Sequence, residues 1–312
     1  MTNAETAPFQ FFSLQVDRTR RLGPSLVRVT FTGEDLKGFA AGGRDQSLSL
    51  FLPHPGQDAP VLPPLDDPDM YAILGAYRAM PHDERAVMRS YTVREQRTSP
   101  AAEIDIDFAV HEDGGPACRW AQHAKAGDRV VVLGPAVADN TGVRFRLPED
   151  ADSVVIWGDE TALPAASAIL EWLPAETRAH VYLEVPYAGD RTELATEADA
   201  TVTWLVREEG APSAVEAIAG AELPGEAPYV WIAGESGAVK ALRRHFVRER
   251  GLDRRRVTFV GYWRKGLSED ALREVPDEAT QDEAQEAAQD AASEAPQSAS
   301  QGASQGASQD AA

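Results

Sequence analysis

The chain has 312 residues, of which 43 % are hydrophobic, and a formal net charge of −20. That length suggests two domains, with enough apolar residues to build a core in each. Eight of the acidic side chains lie in residues 275–312, which carry no Lys or Arg; residues 1–274 still hold −12, which argues against general nucleic-acid binding through phosphates.

Cys118 is the single cysteine, so no intramolecular disulfide can form, and this suits a reducing compartment. Met1 to Phe9 has neither a basic start nor a long apolar stretch, so no signal peptide is expected. No apolar run approaches the roughly 20 residues that span a bilayer. A soluble cytoplasmic protein is the expectation.

The first half reads as β structure. Phe11 to Val16, Ser25 to Thr32, Ser47 to Leu52, Arg89 to Val93, Glu103 to Val110 and Arg129 to Leu133 are short runs rich in apolar or β-branched residues. Gly, Pro and Asp punctuate them, a pattern that suggests a small antiparallel β-barrel. Pro53 to Pro68 reads as a long loop.

From Asp152 the period changes. Ser153 to Trp157, His180 to Val185, Thr201 to Val206, Tyr229 to Ala233 and Val257 to Gly261 read as buried strands. Helical segments lie between them, over Thr161 to Trp172 and Ser236 to Arg250. The second has Val239, Leu242, Phe246 and Val247 on one face and Gly251 as its C-cap. Alternating strands and helices imply a Rossmann-like α/β unit on a parallel sheet, with ligands at the carboxyl ends of the strands. The basic cluster Lys240, Arg243, Arg244, Arg248, Arg250 and Arg254 to Arg256 reads as a solvated helix face and C-terminal end, where cations suit the dipole. Residues 277–312 are almost entirely Ala, Gln, Ser, Asp, Glu and Gly, and cannot offset their ordering entropy. The expected organisation is a β-barrel domain over 9–148, an α/β domain over 151–266 and an acidic, low-complexity, disordered tail over 267–312.

Several segments carry chemistry. Arg89-Ser90-Tyr91-Thr92-Val93-Arg94 places a cation, a ring and a hydroxyl on one strand, with Arg89, Tyr91 and Val93 on one face. A flat anionic cofactor needs that mixture: a ring against its plane and a guanidinium on its phosphates. His111 to Ala121 reads as a Gly/Pro turn opening a helix, whose free N–H groups make a phosphate site. Val154 to Trp157 leads into Gly158-Asp159-Glu160-Thr161-Ala162-Leu163-Pro164, a strand, tight loop and helix. Gly234-Glu235-Ser236-Gly237-Ala238 and Gly261-Tyr262-Trp263-Arg264-Lys265-Gly266 follow. Six scattered histidines and one cysteine lack zinc-ligand spacing, and no Gly-x-Ser-x-Gly elbow is present.

These segments, in this order over residues 9 to 266, resemble the siderophore-interacting protein family of FAD-dependent ferric-siderophore reductases, in the ferredoxin-reductase-like superfamily. The resemblance implies FAD held by Arg89, Tyr91 and Thr92, with His111, Gly115, Ala117 and Cys118 at its diphosphate. It implies NADPH or NADH at Gly158, Thr161, Gly234, Glu235 and Ser236. Trp263 would cover the flavin or seal the domain interface, and His111 has a structural alternative. Arg119, Arg264 and Lys265 would meet an anionic ferric chelate, and no catalytic side chain beyond the flavin is required. Two positions depart from the family pattern: Cys118 where Ser or Thr is usual, and Ser49 where a basic residue is frequent. Asp159 and Glu160 beside a diphosphate imply modest NAD(P)H affinity unless they point away. The expected activity passes electrons from NAD(P)H through flavin to siderophore-bound Fe(III). Alternatives are another flavin-dependent reductase acting on a quinone or electron carrier, a ferredoxin-coupled one, or a non-catalytic siderophore-binding module.

Overall fold

The computed structural model describes residues 7–67, 69–112 and 114–267. The expected tail lies outside them from Ser268 onward. The first layer is a seven-stranded antiparallel sheet: β1 (Phe9–Gly23), β2 (Leu26–Thr32), β3 (Ser47–Leu52), β4 (Val87–Thr92), β5 (Glu95–Arg97), β6 (Glu103–Ala109) and β7 (Arg129–Pro135), in the order β4-β3-β7-β1-β2-β6-β5. It curls into a half-barrel. Alternate residues point inward: Phe12, Leu14 and Val16 of β1, Val27, Val29 and Phe31 of β2, Leu48, Leu50 and Leu52 of β3, and Ile104, Ile106 and Phe108 of β6 share one core.

β1 runs seven residues past its apolar alternation. Pairing with β2 carries it onward, with a register shift between Val16 and Arg18. Cross-strand ion pairs do the rest: Arg18 spans to Glu103 at 2.8 Å, and Arg28 reaches Asp107 at 2.6 Å. Helix α1 (Met70–Ala79) lies in the stretch between β3 and β4. Asp69 caps it by accepting from the Tyr71 N–H at 2.8 Å. Its Tyr77 ring meets Phe51 edge-on, closing a small second core on the outer face of the sheet. Helix α2 (Pro116–His123) packs Ala117, Cys118 and Ala121 into the main barrel core.

The second layer is a five-stranded parallel sheet: β8 (Ser153–Gly158), β9 (Arg178–Val185), β10 (Asp199–Val206), β11 (Pro228–Glu235) and β12 (Val257–Trp263), ordered β10-β9-β8-β11-β12. Helix α3 (Leu163–Trp172) covers one face; α4 (Ala214–Ala219) and α5 (Ser236–Arg244) cover the other. This is the doubly wound arrangement, whose strand order reverses between β8 and β11. The helix expected over Ser236 to Arg250 changes character at His245, where a π-helical turn (His245–Glu249) begins. Gly251 follows in the left-handed region, φ 71°, as a C-terminal glycine should.

Buried carboxylates join the layers. Asp45, 3 % exposed, accepts from the Arg144 and Phe145 backbone N–H groups and from Trp231 Nε1 of β11 at 3.0 Å. Asp190 accepts from the Ser25 N–H at 2.8 Å. Arg94 grips Glu171 of α3 with both nitrogens, at 3.0 and 2.5 Å. Phe145 stands edge-on to Trp172 and Tyr229 within the core of the second layer.

Candidate functional site

β4 lies at the junction of the two layers. Tyr91 packs against the barrel core, its ring 4.4 Å from that of Phe108, and Val93 just beyond β4 joins the same core. Arg89 shares their parity, is only 8 % exposed, and donates to the Met88 carbonyl at 2.7 Å. On the opposite parity, Thr92 hydrogen-bonds the side chain of Tyr262 in β12, and Arg94 reaches α3. One face of this strand therefore belongs to the barrel core, and on the other Thr92 and Arg94 reach the α/β layer while Met88 packs in the small second core.

α2 opens beside it. Gly115 is its N-cap and makes no side-chain cap bond, and Pro116 occupies the first turn. The preceding loop is tightly drawn. The His111 N–H donates to Cys118 Sγ at 3.3 Å, and the thiol points back to the His111 carbonyl at 3.4 Å. A Cβ on Gly114 would lie 2.0 Å from that sulfur, so this position admits only glycine. Arg119 donates to the Gly114 carbonyl at 2.5 Å. The imidazole-bearing His111 is exposed.

At the carboxyl edge of the parallel sheet the arrangement is the reverse. Asp159, 2 % exposed, turns inward. Its Oδ1 accepts from the Thr161 N–H at 2.9 Å and Thr161 Oγ1 at 2.6 Å. Its Oδ2 accepts from the Glu235 N–H at 2.8 Å and Trp263 Nε1 at 2.7 Å. One carboxylate thus ties together the tips of β8, β11 and β12. Burial, with the Glu160 carboxylate second, pushes the Asp159 carboxyl up to about 6, against the pull of Thr161 and Trp263. Gly234 has φ 143°, and a Cβ there would sit 2.6 Å from the Asp159 carboxylate. Glu160 is held by Arg207 at 2.7 and 3.0 Å, and Arg207 also reaches Glu184 at 3.1 Å. Glu235 caps α5, accepting from the Ala238 N–H at 2.9 Å. Ser236 Oγ donates to the Trp263 carbonyl at 2.9 Å.

Two family models match consecutive parts of the chain: the siderophore-interacting FAD-binding domain over residues 15–139 and the siderophore-interacting protein domain over 151–266. The ferric vibriobactin reductase ViuB of Vibrio cholerae is 32 % identical over 261 residues, 82 % of this chain and 90 % of that protein. The chain belongs to the siderophore-interacting protein family. An NADPH-dependent ferric-chelate reductase of Escherichia coli K12 is 30 % identical, covering 81 % of this chain and 93 % of its own. Among solved structures, a siderophore utilization protein from T. fusca superposes with a TM-score of 0.71 at 35 % identity, over 85 % of this chain and 96 % of that one.

The barrel site of this family member fits a flavin dinucleotide on its own geometry. It sets a largely buried guanidinium and a ring on one face of β4, and an uncapped helix start opens at Gly115, where a Cβ would meet nothing within 4 Å. The sequence-expected residues on the sheet edge stand differently. Both donors of Thr161 serve Asp159, the Glu235 carboxylate serves α5, and the Ser236 hydroxyl serves β12. The sequence left open whether Asp159 and Glu160 lie beside a diphosphate or point away from it. Asp159 is an internal strut, and Glu160 is neutralised by Arg207. Trp263 has its indole N–H committed to Asp159. Arg264 is half-buried and Lys265 exposed, both just after β12. Sequence reasoning missed Asp159 as a hub and Tyr262 as the contact of Thr92. The nearest signal was Gly234 immediately after a predicted strand end, a glycine where the backbone must pass close to another group.

Proposed function

We propose that this protein is an FAD-dependent ferric-siderophore reductase, with residues 9–148 holding the flavin and 151–266 receiving the electron donor. The observation that carries the proposal is the placement of β4, with Arg89 and Tyr91 on the barrel face and Thr92 bonded to Tyr262 of the sheet domain. A group bound along β4 would lie where both domains reach it. Bound FAD would take a hydride from NAD(P)H and pass electrons singly to chelated Fe(III), releasing it as Fe(II).

The chain's own residues bind and orient. Arg89 offers a charge-assisted contact to the diphosphate. The α2 start, through Gly115, Ala117 and Cys118, offers backbone N–H groups and the positive end of a helix dipole. Tyr91 would offer its ring to the flavin plane, and Thr92 fixes the strand against Tyr262. Arg119, Arg264 and Lys265 supply positive charge toward an anionic ferric chelate. His111 stands exposed at the rim, and its backbone is latched by Cys118. Trp263 seals the junction.

The test is direct. The purified protein, loaded with FAD, is given NADPH and a ferric catecholate or hydroxamate chelate under anaerobic conditions, with a chromogenic Fe(II) trap. Trap colour that depends on FAD, donor and chelate supports the reading. A protein that takes up no FAD, or a reduced flavin that is not reoxidised by any ferric chelate, refutes it.

A further inference from the structure

A dinucleotide diphosphate is ordinarily gripped at the switch point of a doubly wound sheet, by the loop after the first strand and the N–H groups of the following helix. Here that place is already taken. Asp159 fills the loop after β8 with its own carboxylate and uses the Thr161 N–H and hydroxyl. Across the switch point, Glu235 occupies the start of α5 and uses the Ala238 N–H. The Glu235 N–H also goes to Asp159. Asp159 cannot swing aside cheaply: it is 2 % exposed, and its departure would strand the Trp263 indole N–H.

Charge points the same way. Asp159, Glu160, Glu184 and Glu235 gather at this edge, and the Arg207 guanidinium among them is spent on Glu160 and Glu184. Arg264 and Lys265 follow just beyond the end of β12. An approaching diphosphate meets a cluster of carboxylates, and the N–H groups of Thr161, Glu235 and Ala238 and the Thr161 hydroxyl are already engaged by them.

We infer that the electron donor is read through its nicotinamide–ribose half alone, because Asp159 and Glu235 close from within the two loops that would otherwise hold its diphosphate. This rests on the reading of the protein as a flavin reductase. The adenylate half of NADH or NADPH then adds little to recognition, and the 2′-phosphate adds nothing.

The experiment compares anaerobic flavin bleaching of the FAD-loaded protein by NADPH, NADH and reduced nicotinamide riboside, which carries no phosphate. FAD uptake is measured first, so that failure of the underlying reading is seen separately. The expected result is a kcat/KM for the riboside within about threefold of both dinucleotides, that is, within less than one decade of binding energy. Rates with NADPH should rise with ionic strength as repulsion is screened, and the riboside rate should not change. A dinucleotide preferred over the riboside by more than about thirtyfold, or an NADPH rate that falls steeply with salt, overturns the inference. Bleaching by dithionite but by none of the three nicotinamides overturns it as well.

Discussion

Two helix starts flank the proposed flavin position, and they are built oppositely. α2 in the barrel domain opens with glycine, proline and no side-chain cap. α5 in the sheet domain opens with a carboxylate bonded to its own first turn, and the loop before α3 is filled by Asp159. Both stand at places where related folds hold phosphates. An unmet set of N–H groups is a cost until a ligand arrives, and a self-met set is stable but closed. Under the proposed function, the first domain keeps the start of α2 uncapped for the flavin diphosphate. The second has converted its own into a strut between strand ends.

The closed side can be broken by backbone strain. Gly234→Ala would force an L-residue to φ 143° with its methyl 2.6 Å from the Asp159 carboxylate. Strain and overpacking together should cost about 4 kcal/mol. Thermal unfolding checks this; a Tm within a degree or two of wild type would show that Asp159 yields easily.

The open side can be broken by removing its cation. Arg89→Ala should lose a charge-assisted contact with phosphate, about 1.5–3 kcal/mol, or roughly ten- to a hundredfold in FAD affinity. Fluorescence titration of apoprotein with FAD measures it. Equal affinity in the variant would move the diphosphate away from β4.

The strut should also reveal itself in pH dependence. The folded Asp159 carboxyl is raised from its ordinary 3.8 to about 6. A raised carboxyl binds its proton more tightly in the folded chain, so its contribution to stability is full below about pH 4 and is lost as pH rises through 6. Asp159→Asn removes that dependence. The stability of wild type relative to the variant should therefore be greater at pH 4.5 than at pH 7.5, by about 2 kcal/mol. Urea unfolding at the two pH values decides it; a difference independent of pH would mean that the four donors hold Asp159 ionised throughout.

The smallest effect is expected at the open loop's latch. Serine can make the same two contacts with His111 that the Cys118 thiol makes. Cys118→Ser should change stability by under about 1 kcal/mol and leave FAD affinity within a factor of about two. A larger loss in affinity would give the thiol a part in binding that its present partners do not explain.

Local pattern was enough for much of this molecule. Alternation of Phe12, Leu14 and Val16, or of Ile104, Ile106 and Phe108, marks strands because the period of two is set by the backbone itself. The shift to buried runs separated by amphipathic helices marked the α/β unit, and the run from Arg89 marked the strand β4. Short elements were harder. α1 hides in a Pro-rich stretch, and only Asp69 as N-cap with Ile73 and Tyr77 four apart announces it. α4 carries a capping box, Ser213 with Glu216, on only six residues. The end of β1 has no apolar signal and exists through its ladder with β2 and the Arg18–Glu103 ion pair.

The sequence by itself determined the order of an antiparallel sheet followed by a parallel one, the inward faces of the strands and the residue types on β4, because each depends on neighbours within a few positions. Only the tertiary structure decided what the acidic loop at 158–161 does. The same two letters, Asp and Glu, serve equally as repulsive loop charges or as internal acceptors. The choice depends on Trp263, Glu235 and Arg207, which lie 104, 76 and 47 residues away in the chain. Folding brings those donors to the strand ends, and a buried carboxylate stays where its donors are.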